Sequence, residues 1–490
     1  MDLTTSIQLA GGISGPENLR PLLATALDAL GKGTVDRGGP LPTGGADAVG
    51  ALFAEDVLPW EGDGAETALD GLAKAFAEGA ADPAHPSCVA HLHTPPLAIA
   101  VAADLVAGVL NSSLDSWDQA PSGTHVESQV IHALAGLVGY DPEVASGAVT
   151  SGGTESNLTG LLLAREHALS QAAGAHGVES GIPPELHGRL RILCSEATHF
   201  SVARSAGVLG LGEEAVVQVP LGSDNRMDPQ ALRSTLADLR SRGDIPVAVV
   251  ATAGTTDLGV IDPLPEIAEI AAEHSTWLHV DAAYGGGALF SERLAPLLTG
   301  VDRADSVALD LHKLGWQPVA AGILLARRAA AFDPIERRVA YLNTADDEAA
   351  GFQSLLGRSL RTTRRPDAFK IAVTFRALGR RGMGELVDRC HEQARNAAAT
   401  VREHPRLELY QEPVLTTVIF RYRPESGDPD AINAEVRRTL LRGGRAVVGR
   451  TELDGSVWLK LTLLNPNTTE PEINDLLAEL VTAAVDEETR

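Results

Sequence analysis

Residues 306–318 read SVALDLHKLGWQP. An apolar, β-prone run delivers the chain to His312 and Lys313, and a second such run, AGILLAR at 321–327, follows almost at once. Lysine is scarce here: Lys32, Lys74, Lys313, Lys370 and Lys460 are the only ones among 40 basic residues. A lysine emerging among hydrophobic neighbours is desolvated, so its neutral amine becomes accessible and can form an imine with a carbonyl compound. The question is what stands at the neighbouring strand ends.

Working outward, residues 95–340 alternate β-rich runs with amphipathic helices. GAVTS, RILCS, AVVQVP, VAVVATAG, TWLHVD, DSVALD and AGILLAR read as strands; ESNLTGLLLAREHALSQ, SVARSAGVLG, PQALRSTLADLRSRG and LPEIAEIAAEHS read as helices between them. This pattern predicts an α/β architecture with a largely parallel sheet buried on both faces. Ligands on such sheets bind beyond the carboxyl ends of the strands. After residue 360 two helices, DAFKIAVTFRALGRRG and MGELVDRCHEQARNAAATVREH, precede strands paired by short turns, which predicts a smaller α+β domain. The expected division is an N-terminal helical segment at 1–94, a large α/β domain at 95–360 and a small domain at 361–490.

The bulk numbers narrow the class. With 490 residues, 44% hydrophobic and 21% charged, the chain is globular. A net charge of −25 argues against a nucleic-acid partner. Cys88, Cys194 and Cys390 are far apart and form no C-x-x-C pair, which fits a reducing, cytoplasmic setting. The start lacks a signal peptide's basic and apolar regions, and PLAIAVAADLVAGVL is interrupted by Asp104, so no membrane partner is expected.

The strand ends carry the chemistry. In AVTSGGTESN, Ser151, Gly152 and Gly153 lead into a helix, where glycine backbone, hydroxyls and the helix N-terminus form a phosphate cup; a plain Gly-rich connection capped by Thr154 is the alternative. No Gly-Lys-Ser/Thr follows, so it is not a Walker loop, and GLGEEA at 210–215 precedes its strand instead of following one. In TWLHVDAAYGGG, Asp281 stands where a carboxylate can keep a ring nitrogen protonated, or can cap the next turn. ATAGTTDLG offers the Thr252 and Thr255 hydroxyls, and SEATHF places His199 at a helix start, where a structural role is equally available. Phosphate cup, carboxylate, histidine and lysine on separate strand ends make up the protein side of a pyridoxal phosphate site.

On TSGGTESN, SEATHFSV, ATAGTTDLG, WLHVDAAYGG and DLHKLGWQP, the sequence resembles the group II pyridoxal-phosphate-dependent decarboxylases, over roughly residues 80–480. AHLHTPP, LNSSLDSWDQAPSGTHVE, SLRTTRRPDAFK and LKLTLLNPNTTE are most similar to the bacterial branch of L-2,4-diaminobutyrate and lysine decarboxylases. The resemblance implies the fold-type-I (aspartate aminotransferase) architecture, a homodimer with the N-terminal segment packed on its partner, and pyridoxal 5'-phosphate as cofactor. It implies that Lys313 carries the cofactor, Asp281 pairs with its ring nitrogen, His199 stacks on the ring, and Ser151, Gly152, Gly153 and His312 hold the phosphate, with Thr252 near the 3′-oxygen. Tyr341, in RRVAYLN, corresponds to a loop tyrosine that protonates the α-carbon, with a packing aromatic as the alternative.

Two departures stand out. Asp310 replaces an Asn common in the family, so no phosphate role is carried over to it, and Lys460 stands where glutamate decarboxylases carry an arginine. Asp118 and His93 are candidates to meet a second substrate amine; Cys88, His91 and His93 lack a fourth ligand, so no metal is expected. The implied function is decarboxylation of a diamino acid (L-2,4-diaminobutyrate, lysine or ornithine). Alternatives are an aromatic or acidic amino acid decarboxylase, or a non-catalytic relative, which need not keep Lys313, Asp281, His199 and Tyr341 together.

Overall fold

The computed structural model describes residues 8–489. The chain divides into two compact units: residues 96–391, and the segment up to Pro95 together with Glu392 onward. The second boundary falls inside the helix Ala368–Glu403, some way beyond the expected residue 361. Gly379, with φ of 64°, kinks that helix and separates the two helical runs read from the sequence.

The larger unit is built on a seven-stranded sheet. Its strands are β1 (Ser146–Thr150), β2 (Leu190–Ser195), β3 (Val216–Val219), β4 (Ile245–Thr252), β5 (Trp277–Ala282), β6 (Ser306–Asp310) and β7 (Gly322–Ala326), in the spatial order β1-β7-β6-β5-β4-β2-β3. From β3 across to β6 all pairs are parallel, joined through helices, whereas β7 runs antiparallel to both β6 and β1. The reason is the connection. Residues 311–321 contain no helix to cross over the sheet, so the chain returns beside the strand it has just left.

Every residue of β5, β6 and β7 is buried, which explains why these strands read as continuous apolar runs rather than alternating ones. The helix Gly153–Ala173 contributes Leu161, Leu163 and Leu169 to a core with Ile192, Val202, Val250 and Phe332. Truncating one such leucine to alanine costs about 2–5 kcal/mol.

The other unit pairs the helices Gly15–Arg37 and Ala65–Glu78. Buried Arg37 ties them by donating to Ala77 O at 2.8 Å and to Asp82 Oδ2 at 2.7 Å. A four-stranded antiparallel sheet holds β8 (Leu407–Leu409), β9 (Thr417–Tyr422), β10 (Gly449–Leu453) and β11 (Ser456–Thr462) in the order β10-β11-β9-β8. The helices Pro429–Arg442 and Glu470–Glu488 cover it through Val436, Leu440, Leu476, Leu477 and Leu480. Val89 links the N-terminal segment to this sheet region, donating to Val447 O at 2.9 Å and accepting from Thr462 N at 2.7 Å. Among the described residues no helix is long and apolar enough to cross a membrane.

Candidate active site

All the strand-end residues singled out above lie in the larger unit. β1 delivers the chain through Ser151 and Gly152 into the helix Gly153–Ala173, whose N-cap Gly152 supplies no side-chain hydrogen bond. The first-turn amides are thus left to a ligand, at the helix end that favours an anion. A Cβ on Gly152 would stand 3.3 Å from the His312 ring, and one on Gly153 would stand 3.0 Å from Ala283 Cβ and 3.1 Å from Asp310 Oδ2. Both positions need glycine because the chain passes so close. Thr154 sits inside the helix and does not cap it. Ser151 N donates to Glu155 Oε2 at 2.7 Å, and Arg361 holds the other oxygen of Glu155 at 2.9 Å.

Lys313 follows β6 in a turn that is pinned at several points. Leu311 N donates to Ala321 O at 2.8 Å, Gln317 N donates to Leu311 O at 3.0 Å, and Trp316 is fully buried. The Lys313 ammonium lies 3.0 Å from Asp310 Oδ2, and His312 Nε2 lies 3.5 Å from the same oxygen. Asp310 is buried, and its Oδ1 has no hydrogen-bond partner. Its ion pair with Lys313 accounts for an acidic residue at this position. Burial is the main reason the His312 imidazole is held below its ordinary pKa, against the pull of Asp310.

Asp281 stands near the end of β5, directly beside Thr252 of β4 in the sheet register. Its Oδ1 accepts from Ala283 N at 3.0 Å and its Oδ2 from Asn157 Nδ2 at 2.7 Å. His199 precedes the helix Ser201–Val208; its Nδ1 is 2.9 Å from Ser201 Oγ and also accepts Ser201 N–H at 3.3 Å. Burial lowers the His199 pKa, with Asp281 opposing and Lys313 reinforcing the shift. The Thr252 hydroxyl is 3.3 Å from that of Thr198, and Thr252 N donates to Asp262 Oδ2 at 2.8 Å. Thr255 accepts Val260 N–H and shapes the local turn.

An amide cradle beside an imidazole, an amine, a carboxylate and a second imidazole thus stand at neighbouring strand ends, which suits a phosphorylated, carbonyl-bearing ring. The sequence matches the Pyridoxal-dependent decarboxylase conserved domain over residues 53–423. The chain belongs to the pyridoxal-dependent decarboxylase family. It is 42% identical to an L-2,4-diaminobutyrate decarboxylase of Rhizobium meliloti (strain 1021), covering 89% of this chain and 85% of that protein. An L-2,4-diaminobutyrate decarboxylase of Acinetobacter baumannii is 37% identical, with 86% and 85% covered. The glutamate decarboxylase domain of a diaminobutyrate-pyruvate transaminase and L-2,4-diaminobutyrate decarboxylase from Vibrio parahaemolyticus superposes with a TM-score of 0.89 at 36% identity, over 98% of each chain.

The architecture is therefore that of fold-type-I enzymes, and this pyridoxal-dependent decarboxylase uses pyridoxal phosphate as its cofactor. Four further candidates remain: Tyr341, Asp118, His93 and Lys460. Tyr341 is 83% exposed, at the tip of a turn closed by Asn343, which accepts from Val339 N at 3.0 Å and donates to Arg337 O at 3.0 Å. Asp118 is exposed. His93 and Lys460 belong to the other unit; Lys460, on β11, lines a pocket of about 410 Å³ with His91, Arg437, Arg450 and Glu452.

Sequence reasoning missed Asn157, Ser201, His279 and Ser306, which meet around Asp281. A signal existed for one of them. His279 is two residues before Asp281 on a strand, so both side chains point to the same face of the sheet.

Proposed function

We propose that this decarboxylase acts on an L-diamino acid, with L-2,4-diaminobutyrate ahead of lysine and ornithine. The observation that carries the reading is the match over most of both chains to two diaminobutyrate decarboxylases. The net charge of −25 also favours approach of a substrate bearing a second ammonium group.

Pyridoxal phosphate supplies, when bound, a reactive carbonyl and a ring that accepts the electrons of the breaking C–C bond. Ser151, Gly152, Gly153 and His312 would hold the phosphate, Lys313 Nζ would supply the amine for its carbonyl group, and Thr252 would donate a hydroxyl to its 3′-oxygen. Asp281 would keep the ring nitrogen protonated and His199 would stack on the ring. Tyr341 Oη gives a proton to the α-carbon after carbon dioxide leaves, and its turn closes over the substrate to exclude water. Asp118 meets the distal amine.

We also infer a homodimer in the reducing cytoplasm. The N-terminal helix pair exposes Leu27, Val35, Leu72 and Phe76, an apolar face that a second copy would cover, and all three cysteines are free thiols. Light scattering should give twice the 51.2 kDa chain mass.

The test of substrate is carbon dioxide release with added cofactor across diaminobutyrate, ornithine, lysine, glutamate, aspartate, tyrosine and tryptophan, with the amine identified by mass. Preferential formation of 1,3-diaminopropane from diaminobutyrate is expected. Turnover confined to the acidic or aromatic substrates overturns the reading.

A further inference from the structure

Beneath the strand ends runs a buried chain of polar side chains that no step above uses. Trp277 Nε1 lies 2.9 Å from Ser306 Oγ, Ser306 Oγ 2.8 Å from His279 Nδ1, and His279 Nε2 2.9 Å from Asn157 Oδ1. Asn157 Nδ2 then reaches both Asp281 Oδ2 at 2.7 Å and Ser201 Oγ at 2.9 Å. Ser306, His279 and Ser201 have no exposed surface, Asn157 has 1%, and the indole and carboxylate ends have 8% and 5%.

The ends of the chain fix its direction. An indole N–H only donates and a carboxylate only accepts, so each member between them has one consistent role. Asn157 must turn its NH₂ toward Asp281, which leaves Oδ1 facing His279. His279 must therefore carry its proton on Nε2 and accept the Ser306 hydroxyl proton at Nδ1. Burial lowers the His279 pKa and keeps it in this neutral, single-proton form. On the other branch Ser201 accepts from Asn157 and donates to His199 Nδ1, so the His199 proton resides on Nε2.

The space is shaped for the imidazole. A Cβ on Gly160, in the facing helix, would stand 2.7 Å from His279 Cε1 and 2.8 Å from its Nδ1.

We propose that His279 is a positioning residue for the cofactor: through Asn157 it orients Asp281 to hold the ring nitrogen's proton. This rests on the reading of Asp281 as the partner of the ring nitrogen. Without the His279 donor, Asn157 Oδ1 is left buried and unpaired, so the Asn157 amide is no longer held from that side and the Asp281 carboxylate it bonds loses its fixed place beneath the ring nitrogen. Sequence distance hides the device, since His279 and Asn157 are 122 residues apart.

The test uses the full chain loaded with pyridoxal phosphate carrying ¹⁵N in its ring, read by the nitrogen chemical shift and by cofactor titration. Wild type should show a protonated ring nitrogen. His279→Leu should move the resonance toward the unprotonated position and weaken cofactor binding about tenfold. His279→Gln, which can donate to Asn157 and accept from Ser306, should restore both. Should His279→Leu fail to fold, His279→Asn, which keeps an acceptor for Ser306 but is too short to reach Asn157, decides and should shift the resonance in the same direction. An unchanged, protonated nitrogen in His279→Leu, or in His279→Asn where that variant decides, overturns the proposal. An unprotonated nitrogen in wild type overturns the Asp281 reading instead.

Discussion

The turn that carries Lys313 and the turn that carries Tyr341 are built to opposite specifications. The first is anchored in adjacent strands, closed by backbone hydrogen bonds, and packed around a fully buried Trp316. The second is an exposed excursion whose bonds stay local: Asn343 spans it, Leu342 and Asn343 amides donate to Val339 O, and Arg338 pairs with Glu348. Cofactor attachment needs fixed geometry, whereas closing over a substrate needs a segment of low local stability. The difference suits the two jobs proposed for Lys313 and Tyr341.

Four experiments break or sharpen this contrast. Lys313→Ala should show the largest effect, abolishing the visible absorbance of bound cofactor and lowering kcat on the order of 10⁴-fold or more. Tyr341→Phe should lower amine formation by about 10²–10⁴-fold, in line with loss of a general acid. Because the Tyr341 side chain is exposed, cofactor affinity and melting temperature should stay at wild-type values in that variant. A fall in either would show that the two turns are not independent.

Gly160→Ala tests the rigid side by stability. Alanine normally favours a helix over glycine, but here the added methyl meets the His279 ring, so a net loss of about 1–3 kcal/mol is expected in denaturant unfolding. A gain would mean that the ring moves aside at no cost.

The smallest effect is pH dependence. Burial depresses the pKa of His279, His199 and His312 in the folded chain. Below about pH 6.5 the unfolded chain binds protons that the folded chain does not, so stability is full above that pH and falls as pH drops below it. Each such histidine contributes at most about 1.4 kcal/mol per pH unit. Urea midpoints between pH 7.5 and 5 should decline, and His279→Gln should flatten the decline.

Much of the strand-end chemistry was legible in the sequence because each residue sits next to its strand in the chain. AVTSGG, LHVD and LDLHK announce an apolar strand and then a polar residue, and a parallel sheet aligns such ends. The antiparallel return of β7 was not announced by periodicity; it follows from the missing crossover helix. The tie of Val89 to Val447 and Thr462, and the convergence of Asn157 and His279, are long-range pairings, and no local pattern encodes them. Thr154 read as a cap because Thr caps helices well, but Gly152 occupies that place and leaves the amides open.

The antiparallel β7 has a consequence for changing this enzyme. With β6 and β7 side by side, residues 311–321 join two strands held in register, so an insertion there would displace Leu311, Trp316 and Gln317 from the contacts that pin the lysine turn. The Tyr341 turn is held within its own neighbourhood, by Asn343, the Val339 carbonyl and the Arg338–Glu348 ion pair. Libraries aimed at new substrates belong in residues 336–340 and 342, with Tyr341 kept, while the lysine bed stays as it is.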